Sequence, residues 1–283
     1  MGNNIVKTTK LIDGWQSEIC LIEAADGQCY VRKNYSEAVY ISSPTIISEE
    51  WDALVFLHDR GYSVPTPVRK DANGIYMQYI ENGALWEVYG KSDKTSKQEL
   101  MQKYAKLLYD LHEIDVSSIP YNGRFVENEL AEIRNIIEKH KLNDYFEILH
   151  KLESESANIA EQPLAFIHRD YHPWNVLVDT NDKLYAIDIF FTQGDYRFDV
   201  GWAYAHMKRT ATDPEFVEFA ENFLSEYLKL KPEANVDFEF FKQLANLRWL
   251  ANVRPGEWSE KSDFWQHMIR EAESAMSSYL GGT

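Results

Sequence analysis

The hydrophobic pattern of the chain changes at about residue 80, and this change limits the folds that the sequence can adopt. Residues 1–80 contain short apolar runs separated by turn signals, which are typical of β-strands. Residues 81–283 place apolar side chains at intervals of three and four, which is typical of amphipathic helices. The pattern predicts an α+β protein with a small β-rich lobe that holds one helix, residues 1–80, and a larger, mainly helical lobe, residues 81–283. We expect a ligand-binding cleft between two such lobes.

The amino-terminal segment alternates apolar runs with turn residues, which predicts the order strand, strand, helix, strand, strand. Asp26-Gly27 predicts a tight hairpin turn, because glycine adopts the positive φ that such turns require. Gly61 predicts the end of the helix. Prolines between residues 64 and 68 favour an extended backbone, because each proline restricts the residue before it. The predicted elements are strands over residues 19–23, 28–33, 64–68 and 75–80 and a helix over residues 47–60.

The carboxy-terminal segment contains one strand pair among its helices. Asp213 followed by Pro214 predicts a helix start, because aspartate caps free N–H groups and proline is tolerated in the first turn. The predicted helices cover residues 100–111, 126–140, 144–155, 214–227, 237–253 and 263–279, and the strand pair covers residues 175–179 and 184–187.

The charge and cysteine content of the chain limit its partners and its compartment. With 29 Lys and Arg against 45 Asp and Glu, the formal charge is −16, which repels nucleic acid and anionic membranes. Cys20 and Cys29 match neither a zinc site nor a disulfide-rich fold. No segment reaches the ~18 apolar residues of a membrane span, and residues 1–9 lack the apolar core of a signal peptide. We expect a soluble cytoplasmic protein that binds neither nucleic acid nor membrane.

The strongest chemical signal is a short polar motif between two apolar segments. Residues 168–175 match H-R-D-x-x-x-x-N, the pattern of a kinase catalytic loop. Asp188 ends the strand predicted over residues 184–187, where burial of a lone carboxylate is costly and a cation removes that cost. Because Asn175 and Asp188 offer hard oxygen ligands on adjacent strands, they predict a Mg²⁺ site. Asp170 then suits the orientation and deprotonation of an attacking hydroxyl group.

This motif resembles the catalytic segment of aminoglycoside phosphotransferases and choline kinases, a family of small-molecule kinases. The resemblance rests on the His-Pro-x-Asn ending of the motif and on Gly-Asp-Tyr-Arg-Phe-Asp at residues 194–199, and it extends from about residue 10 to about residue 255. It implies a two-lobed protein-kinase-like fold, with a five-stranded amino-terminal lobe and a nucleotide between the lobes. It also implies Mg²⁺ as cofactor, ATP or GTP as phosphate donor and a small-molecule hydroxyl as acceptor.

The same resemblance assigns nucleotide-binding roles in the amino-terminal lobe. The string Tyr-Val-Arg-Lys fits the family's third strand, which implies that Lys33 binds the α- and β-phosphates. Alternation along the strand places Val31 on the same face, where it could pack on adenine. The family's helix supplies a glutamate to this lysine, and Glu50 fits that position. Arg32 remains an alternative to Lys33, because a one-residue register error exchanges them, and Glu49 remains an alternative to Glu50.

Two further sets of residues follow from the resemblance. The family's interlobe hinge resembles residues 76–83, so we expect the backbone of Gln78, Tyr79 and Ile80 to bind the purine. The residues expected to support the catalytic loop, rather than to touch substrate, are His168, Arg169, Asp195 and Asp199. The family often has glycine where this chain has Arg169.

Four features separate the sequence from protein kinases. The expected phosphate-covering loop, residues 11–17, contains one glycine instead of the G-x-G-x-x-G string. Asp188 is followed by Ile189 and Phe190 rather than by Phe-Gly. No Ala-Pro-Glu follows, and the short stretch from Asp188 to Asp199 leaves no room for a long activation segment. These departures favour a small-molecule kinase.

Three functions remain open on the sequence alone. The favoured one is a small-molecule O-phosphotransferase, whose acceptor could be cationic, as an aminoglycoside is, because the segment from residue 126 to residue 161 is acidic. Choline, homoserine, a sugar or a macrolide fit as well. The second is a non-catalytic kinase-like protein that binds nucleotide. The third is a metal-dependent hydrolase, with zinc held by His168, Asp170, His172 and Asp188.

Overall fold

The computed structural model describes residues 5–13, 17–37, 39, 43–117, 119–210, 212, 214–256 and 262–281. Residues 14–16 of the predicted phosphate-covering loop and the predicted helix cap Asp213 lie outside these ranges. The chain divides into two compact units, of which the first comprises Met1–Asp93 and Pro173–Phe191 and the second comprises Lys94–His172 and Thr192–Thr283. The first unit holds a five-stranded sheet and the second is mainly helical, which confirms the predicted α+β class.

An antiparallel sheet of five strands forms the centre of the first unit. The strands are β1 (Ile5–Asp13), β2 (Ser17–Ala24), β3 (Cys29–Tyr35), β4 (Pro67–Lys70) and β5 (Gly74–Gln78). Their order is β1-β2-β3-β5-β4, and Gly27 has the positive φ, +82°, that the predicted turn requires. Lys33 of β3 lies opposite Ile19 of β2 and Ile75 of β5. The lysine is therefore carried by the middle strand, which is paired on both sides.

Two helices of the first unit have described bounds, and the first of them is the helix predicted over residues 47–60. α1 (Ile46–Asp59) ends just before Gly61, whose φ is +75°. Its buried face includes Leu54 and Leu57 together with Glu50, so an apolar helix face also carries a carboxylate into the core. α2 (Leu85–Lys91) follows the sheet and was not predicted.

A small hairpin links the later part of the chain to the first unit. It consists of Val176–Val178 and Leu184–Ala186, and we call it the 176–186 hairpin. The N–H of Val178 donates to the carbonyl of Gly83 at 2.9 Å, and the N–H of Ala186 donates to the carbonyl of Ser63 at 3.0 Å. These bonds explain why the hairpin groups with the sheet, whereas we predicted a single boundary after residue 80.

The second unit is built from helices around two very short strands. The helices are α3 (Lys94–His112), α4 (Phe125–His140), α5 (Phe146–Ser156), α6 (Tyr196–Thr210), α7 (Pro214–Leu230), α8 (Phe238–Val253) and α9 (Asp263–Gly281). The short strands Ala165–Phe166 and Gln193–Gly194 pair on either side of the catalytic-loop segment in sequence. No helix in the described ranges is long and apolar enough to cross a membrane.

α6 is buried on almost every side in the second unit. Gly201 allows this close packing, because a Cβ atom there would lie 2.8 Å from the backbone carbonyl carbon of Phe241 in α8. A helix without a polar face shows little amphipathic periodicity, and the sequence did not predict this one. Its position matters for the site, because α6 carries Asp199, Trp202 and Arg209.

Candidate active site

Lys33 is the centre of a charged network in the first unit. Its ammonium donates to both carboxylate oxygens of Glu50, at 2.8 and 3.0 Å, and to Oδ1 of Asp188 at 2.6 Å. β3 supplies the lysine, α1 supplies the glutamate, and the aspartate follows the 176–186 hairpin. Lys33 and Glu50 are buried, whereas the Asp188 side chain is 43% exposed. The network therefore has two members fixed in the core and one open to solvent.

Burial and ion pairing act against each other in this network. Burial disfavours the charged form of Lys33, but the attraction of Glu50 and Asp188 outweighs burial and raises the pKa of the lysine. Burial also raises the pKa of Glu50 to about 7, because the attraction of Lys33 offsets only part of the desolvation. Lys33 thus stays charged at physiological pH, which suits a ligand for phosphate oxygens.

Arg32 and Glu49, the alternatives predicted for Lys33 and Glu50, have different surroundings. Arg32 donates to the carboxylate of Asp71 at 3.1 Å, and its guanidinium lies 5.1 Å from the ring centroid of Tyr76. Glu49 is exposed. The geometry therefore favours Lys33 as the buried cation of β3.

Asn175 and Asp188 lie at the same end of the 176–186 hairpin. The carbonyl of Asn175 accepts a hydrogen bond from the N–H of Ile187 at 3.0 Å. Asp188 follows with a φ of +58°, a left-handed backbone that is uncommon for a residue with a Cβ atom. Amide and carboxylate oxygens are hard ligands of the kind that Mg²⁺ prefers. The donor set therefore fits a magnesium ion.

The predicted purine-binding segment begins at the last residue of β5. The N–H of Gln78 donates to the carbonyl of Thr66 at 2.9 Å, so this group is already used within the first unit. Tyr79 and Ile80 lie beyond the end of the strand. Val31 is half-buried, two residues before the buried lysine of β3. Purine contacts by these residues stay a prediction.

Asp199 of α6 holds the first part of the catalytic loop in the second unit. One of its carboxylate oxygens accepts the N–H of His168 at 2.6 Å, and the other accepts the N–H of Arg169 at 2.8 Å. The oxygen that binds His168 also lies 3.2 Å from Nε2 of His112, whose Nδ1 lies 2.6 Å from the hydroxyl of Tyr227. α6 and α3 thereby fix the backbone immediately before the loop aspartate.

Asp170 reaches towards solvent, and its side chain is 51% exposed. Its Oδ1 accepts a hydrogen bond from the indole N–H of Trp202 at 3.2 Å. Its Oδ2 lies 3.5 Å from Nε2 of His172. An exposed carboxylate that is oriented by a buried indole suits a group that receives a proton from a substrate.

Arg169 combines an uncommon backbone with a buried side-chain contact. Its φ is +65°, a conformation that glycine adopts freely and that a residue with a Cβ atom adopts at a cost. Its guanidinium donates to Glu129, a buried residue of α4 that also faces Arg248. Burial raises the pKa of Glu129 in opposition to the two arginines. The side chain of Arg169 thus ties the loop to α4, although its backbone is strained.

Asp195 was predicted to brace the catalytic loop, but in the described part of the chain its carboxylate contacts Arg197. Nε and Nη2 of Arg197 donate to it at 3.0 and 2.7 Å. Arg197 is fully buried and also donates to the carbonyl of Ala160 at 2.7 Å and to Asp237 at 3.0 Å. Asp195 therefore fixes the beginning of α6, and the loop backbone is held by the other predicted aspartate, in that helix.

One group of possible metal ligands occurs among the described residues. Asp170, His172 and His206 each place a ligand atom within 4.8 Å of the others, and the two histidine rings stack with centroids 4.3 Å apart. His168, predicted as a zinc ligand, is not in this group. Burial, followed by the charges of His172 and Arg209, lowers the pKa of His206 well below its usual range. The guanidinium that acts on His206 would repel a divalent cation, so this geometry does not favour the zinc hydrolase.

Sequence reasoning assigned no role in the site to four residues that lie around the catalytic loop. They are His112, Trp202, His206 and Arg209. Three of them belong to α6, whose all-round burial conceals its period. The signal that could have found them is the appearance of polar and charged residues in an otherwise apolar stretch, because such residues are seldom buried without a purpose.

Comparison with known proteins agrees with this geometry. The model of the phosphotransferase enzyme family matches residues 7–238. No curated protein sequence matches the chain. Among solved structures, choline kinase LicA from Streptococcus pneumoniae is 20% identical, with a TM-score of 0.68 over 98% of this chain and 95% of that one.

Two further solved structures, one named as an aminoglycoside phosphotransferase and one as an amicoumacin kinase, are similar to the chain. Aminoglycoside phosphotransferase APH(2″)-Ib, solved with ADP, is 20% identical, with a TM-score of 0.64 over 97% of this chain and 93% of that one. Amicoumacin kinase hAmiN, solved with AMP-PNP, Ca²⁺ and Ami, is 16% identical, with a TM-score of 0.67 over 98% and 90%. These likenesses confirm the predicted kinase-like fold. Because the family model spans most of its length, the chain belongs to the phosphotransferase enzyme family.

Proposed function

We propose that this phosphotransferase moves the γ-phosphoryl group of ATP or GTP to a hydroxyl group of a small molecule, in a Mg²⁺-dependent reaction. The observation that carries the proposal is the buried Lys33, which is fixed by Glu50 and Asp188. A fold does not require such a charged network, because apolar side chains of similar volume in place of the whole network often stabilise a core as well. Phosphate binding would explain why a cation is buried at this position.

Each polar residue then has a separate role. Lys33 binds the α- and β-phosphates, and Glu50 holds its ammonium in place. Asn175 and Asp188 would hold Mg²⁺, whose positive charge would offset the negative charge on the oxygens of the transferring group. Asp170 orients the acceptor hydroxyl and receives its proton.

The reaction keeps its atoms and charges in balance with these residues. The acceptor oxygen forms a bond to the γ-phosphorus while the bond to the β–γ bridging oxygen breaks, and the nucleoside diphosphate leaves. The proton of the acceptor hydroxyl passes to Oδ2 of Asp170, because Oδ1 is engaged by Trp202. Solvent then removes the proton, since the Asp170 side chain is half exposed.

The acidic segment does not support a cationic acceptor over other acceptors. Most carboxylates between residues 126 and 161 are ion-paired to lysine or arginine within the second unit. They are Glu127, Glu129, Glu132, Glu138, Glu153, Glu155 and Glu161. Paired carboxylates offer little extra attraction to a polycation. The neighbours' names cover choline, aminoglycoside and amicoumacin substrates, so the acceptor has to be found by experiment.

Turnover by the purified full chain tests the proposal. We would incubate it with ATP or GTP, MgCl₂ and a panel of aminoglycosides, choline, ethanolamine, homoserine, sugars and macrolides. We expect one acceptor class to yield nucleoside diphosphate and an equal amount of phosphorylated product by mass spectrometry.

Asp170→Asn is the matched control, since it keeps the shape of the side chain and removes the base. It should retain nucleotide affinity while turnover falls by a factor of about 100 or more. Nucleotide binding without turnover of any acceptor would favour the non-catalytic alternative. Unchanged turnover in Asp170→Asn would remove this residue from its role.

A further inference from the structure

The carboxylate of Asp170 is oriented by one buried side chain of α6. The indole of Trp202 is buried, and its N–H donates to Oδ1 of Asp170 at 3.2 Å. The ring also packs on Phe198 one turn earlier, with centroids 5.8 Å apart. A rigid, packed donor restricts the rotation of an otherwise exposed carboxylate.

Arg209 lies in the same helix, and only 2% of its surface is exposed. Its Nη1 donates to Oδ1 of Asn246 at 2.8 Å, while Nε and Nη2 have no hydrogen-bond partner among the described residues. No carboxylate of the described residues lies within ion-pair distance of this guanidinium. A buried charge without such a partner is costly, so its retention requires an explanation.

Two indole rings lie beside the Arg209 guanidinium and partly compensate for the absence of a carboxylate partner in the described part of the chain. The Arg209 guanidinium carbon lies 4.5 Å from the ring centroid of Trp249 and 5.6 Å from that of Trp202, within range of a cation–π attraction. Burial lowers the pKa of Arg209 to about 9, and the attraction of Asp170 opposes this change. The guanidinium therefore remains charged at neutral pH, and Asp170 is the carboxylate whose charge acts on it.

The indole of Trp202 thus contacts Asp170 through its N–H edge and Arg209 through its face. A cation over the ring withdraws electron density from it, which makes the N–H a stronger donor. We propose that Trp202 and Arg209 are positioning residues for Asp170: the indole fixes the carboxylate, and the guanidinium supplies the counter-charge behind it. This inference rests on the proposed function, because it assigns the proton-accepting role to Asp170.

Other polar groups around Asp170 are less suited to this role. His172 lies 3.5 Å from Oδ2, and His206 stacks on His172. Burial, with smaller contributions from Asp170 and Asp199, raises the pKa of Tyr104 well above its usual range, so this residue of α3 stays neutral. Arg209 is therefore a permanently charged group of α6 on which the charge of Asp170 acts.

The first test is Trp202→Phe, with Trp265→Phe as matched control. The phenyl ring in Trp202→Phe would keep most of the packing and lose the N–H, whereas Trp265 stacks on Trp249, 6.0 Å away, and has no contact with Asp170 among those described. We expect kcat to fall about five- to tenfold in Trp202→Phe, the effect of one lost hydrogen bond. The KM for ATP should stay within about twofold, because Lys33 and its partners are unchanged.

The second test separates the charge of Arg209 from its volume. Arg209→Met should lower kcat about tenfold and Arg209→Lys should recover a large part of it, because lysine retains the charge. Arg254→Met is the control, since that arginine pairs with Glu273 in the same unit. Combining Trp202→Phe with Arg209→Met should cost much less than the product of the single losses, because both act through one carboxylate.

A readout without an acceptor separates this inference from the proposed function. The indole N–H signal of Trp202, assigned by its loss in Trp202→Phe, should shift in the nuclear magnetic resonance spectrum of Asp170→Asn and of Arg209→Met. If no acceptor is found, slow Mg-ATP hydrolysis provides the rate. An unshifted indole signal, or equal kcat values for folded Arg209→Met, Arg209→Lys and the unmodified protein, would overturn the inference. A shifted signal in a chain without any turnover would overturn the proposed function alone.

Discussion

Lys33, a buried cation of the first unit, and Arg209, a buried cation of the second, are stabilised in different ways. Lys33 has the carboxylates of Glu50 and Asp188 within 3.0 Å, and their attraction outweighs burial and raises its pKa. Arg209 has an amide and two indole rings instead, and burial lowers its pKa to about 9. The same desolvation therefore has opposite outcomes, depending on whether carboxylates are in direct contact.

The difference in stabilisation corresponds to the function proposed for each cation. A lysine that binds phosphates must stay at one point, and two carboxylates from separate elements define that point. A guanidinium that acts on Asp170 from a distance would lose its field if a second carboxylate neutralised it. The comparison predicts that removing Lys33 leaves a stranded carboxylate in the core, whereas removing Arg209 does not.

The largest expected effect is that of Lys33→Met on stability. This change leaves Glu50 buried without its cation, which typically costs about 3–5 kcal/mol. The free energy of unfolding in urea at pH 8 measures it, with Lys139→Met, an exposed lysine of α4, as a control expected to stay within about 0.5 kcal/mol. A loss as small as that of the control would show that Glu50 does not depend on Lys33.

The pH dependence of stability tests the same pair. Because the pKa of Glu50 is raised to about 7 by burial, the folded chain binds a proton there that the unfolded chain has already lost. The contribution of Glu50 to stability is therefore present below its ordinary pKa and is lost as pH rises through about 7. The stability of the unmodified protein relative to Glu50→Gln should fall between pH 5 and pH 8 in urea titrations. A difference that increases with pH would contradict the raised pKa.

The packing of α6 is the next test, because this helix carries Arg209. Gly201→Ala places a Cβ atom 2.8 Å from the backbone of Phe241, and such overpacking costs about 1–3 kcal/mol. Gly90→Ala in α2 is the matched control, since no neighbour among the described residues lies within 4 Å of the added atom, and it should stabilise slightly. Equal melting temperatures for the two variants would show that α6 can move away from α8 without loss.

A smaller effect is expected for Arg209→Met, which tests the comparison from the other side. No described carboxylate is left without its ion-pair partner, and the chief loss is the donor to Asn246, worth about 1–2 kcal/mol. Urea unfolding should therefore place this variant well above Lys33→Met in stability. A loss as large as that of Lys33→Met would mean that Arg209 stabilises the fold like an ion-paired cation.

The sequence predicted most of the sheet and of the amphipathic helices, because those elements alternate buried and exposed residues. It missed β1, which is largely exposed, and α6, which is buried almost all round. Neither element has the contrast between two faces on which such a prediction depends. The domain boundary differed because the bonds of the 176–186 hairpin to Ser63 and Gly83 join segments distant in sequence.

In the candidate site, too, some residues could be predicted from the sequence and others could not. A contiguous motif predicted Asp170 and Asn175, and resemblance predicted Lys33 and Glu50, which the structure places in contact. Trp202 belongs to no pattern of this kind, because its partner lies 32 residues earlier in the chain. Contacts of this kind depend on how helices pack, which composition and spacing do not specify.

The smallest effect concerns backbone strain at one predicted site residue in each unit. Arg169 and Asp188 both have positive φ, +65° and +58°, but Asp188 contributes its carboxylate to the lysine network, whereas Arg169 binds Glu129. Because glycine adopts this backbone freely, Arg169→Gly should be more stable than Arg169→Ala by about 1 kcal/mol, although both lose the same ion pair. Urea unfolding of the two variants measures the difference, and equal stabilities would show that the loop backbone relaxes once the guanidinium is removed. The strain at Arg169 would then be imposed by its contact with Glu129 rather than by the hydrogen bonds to Asp199.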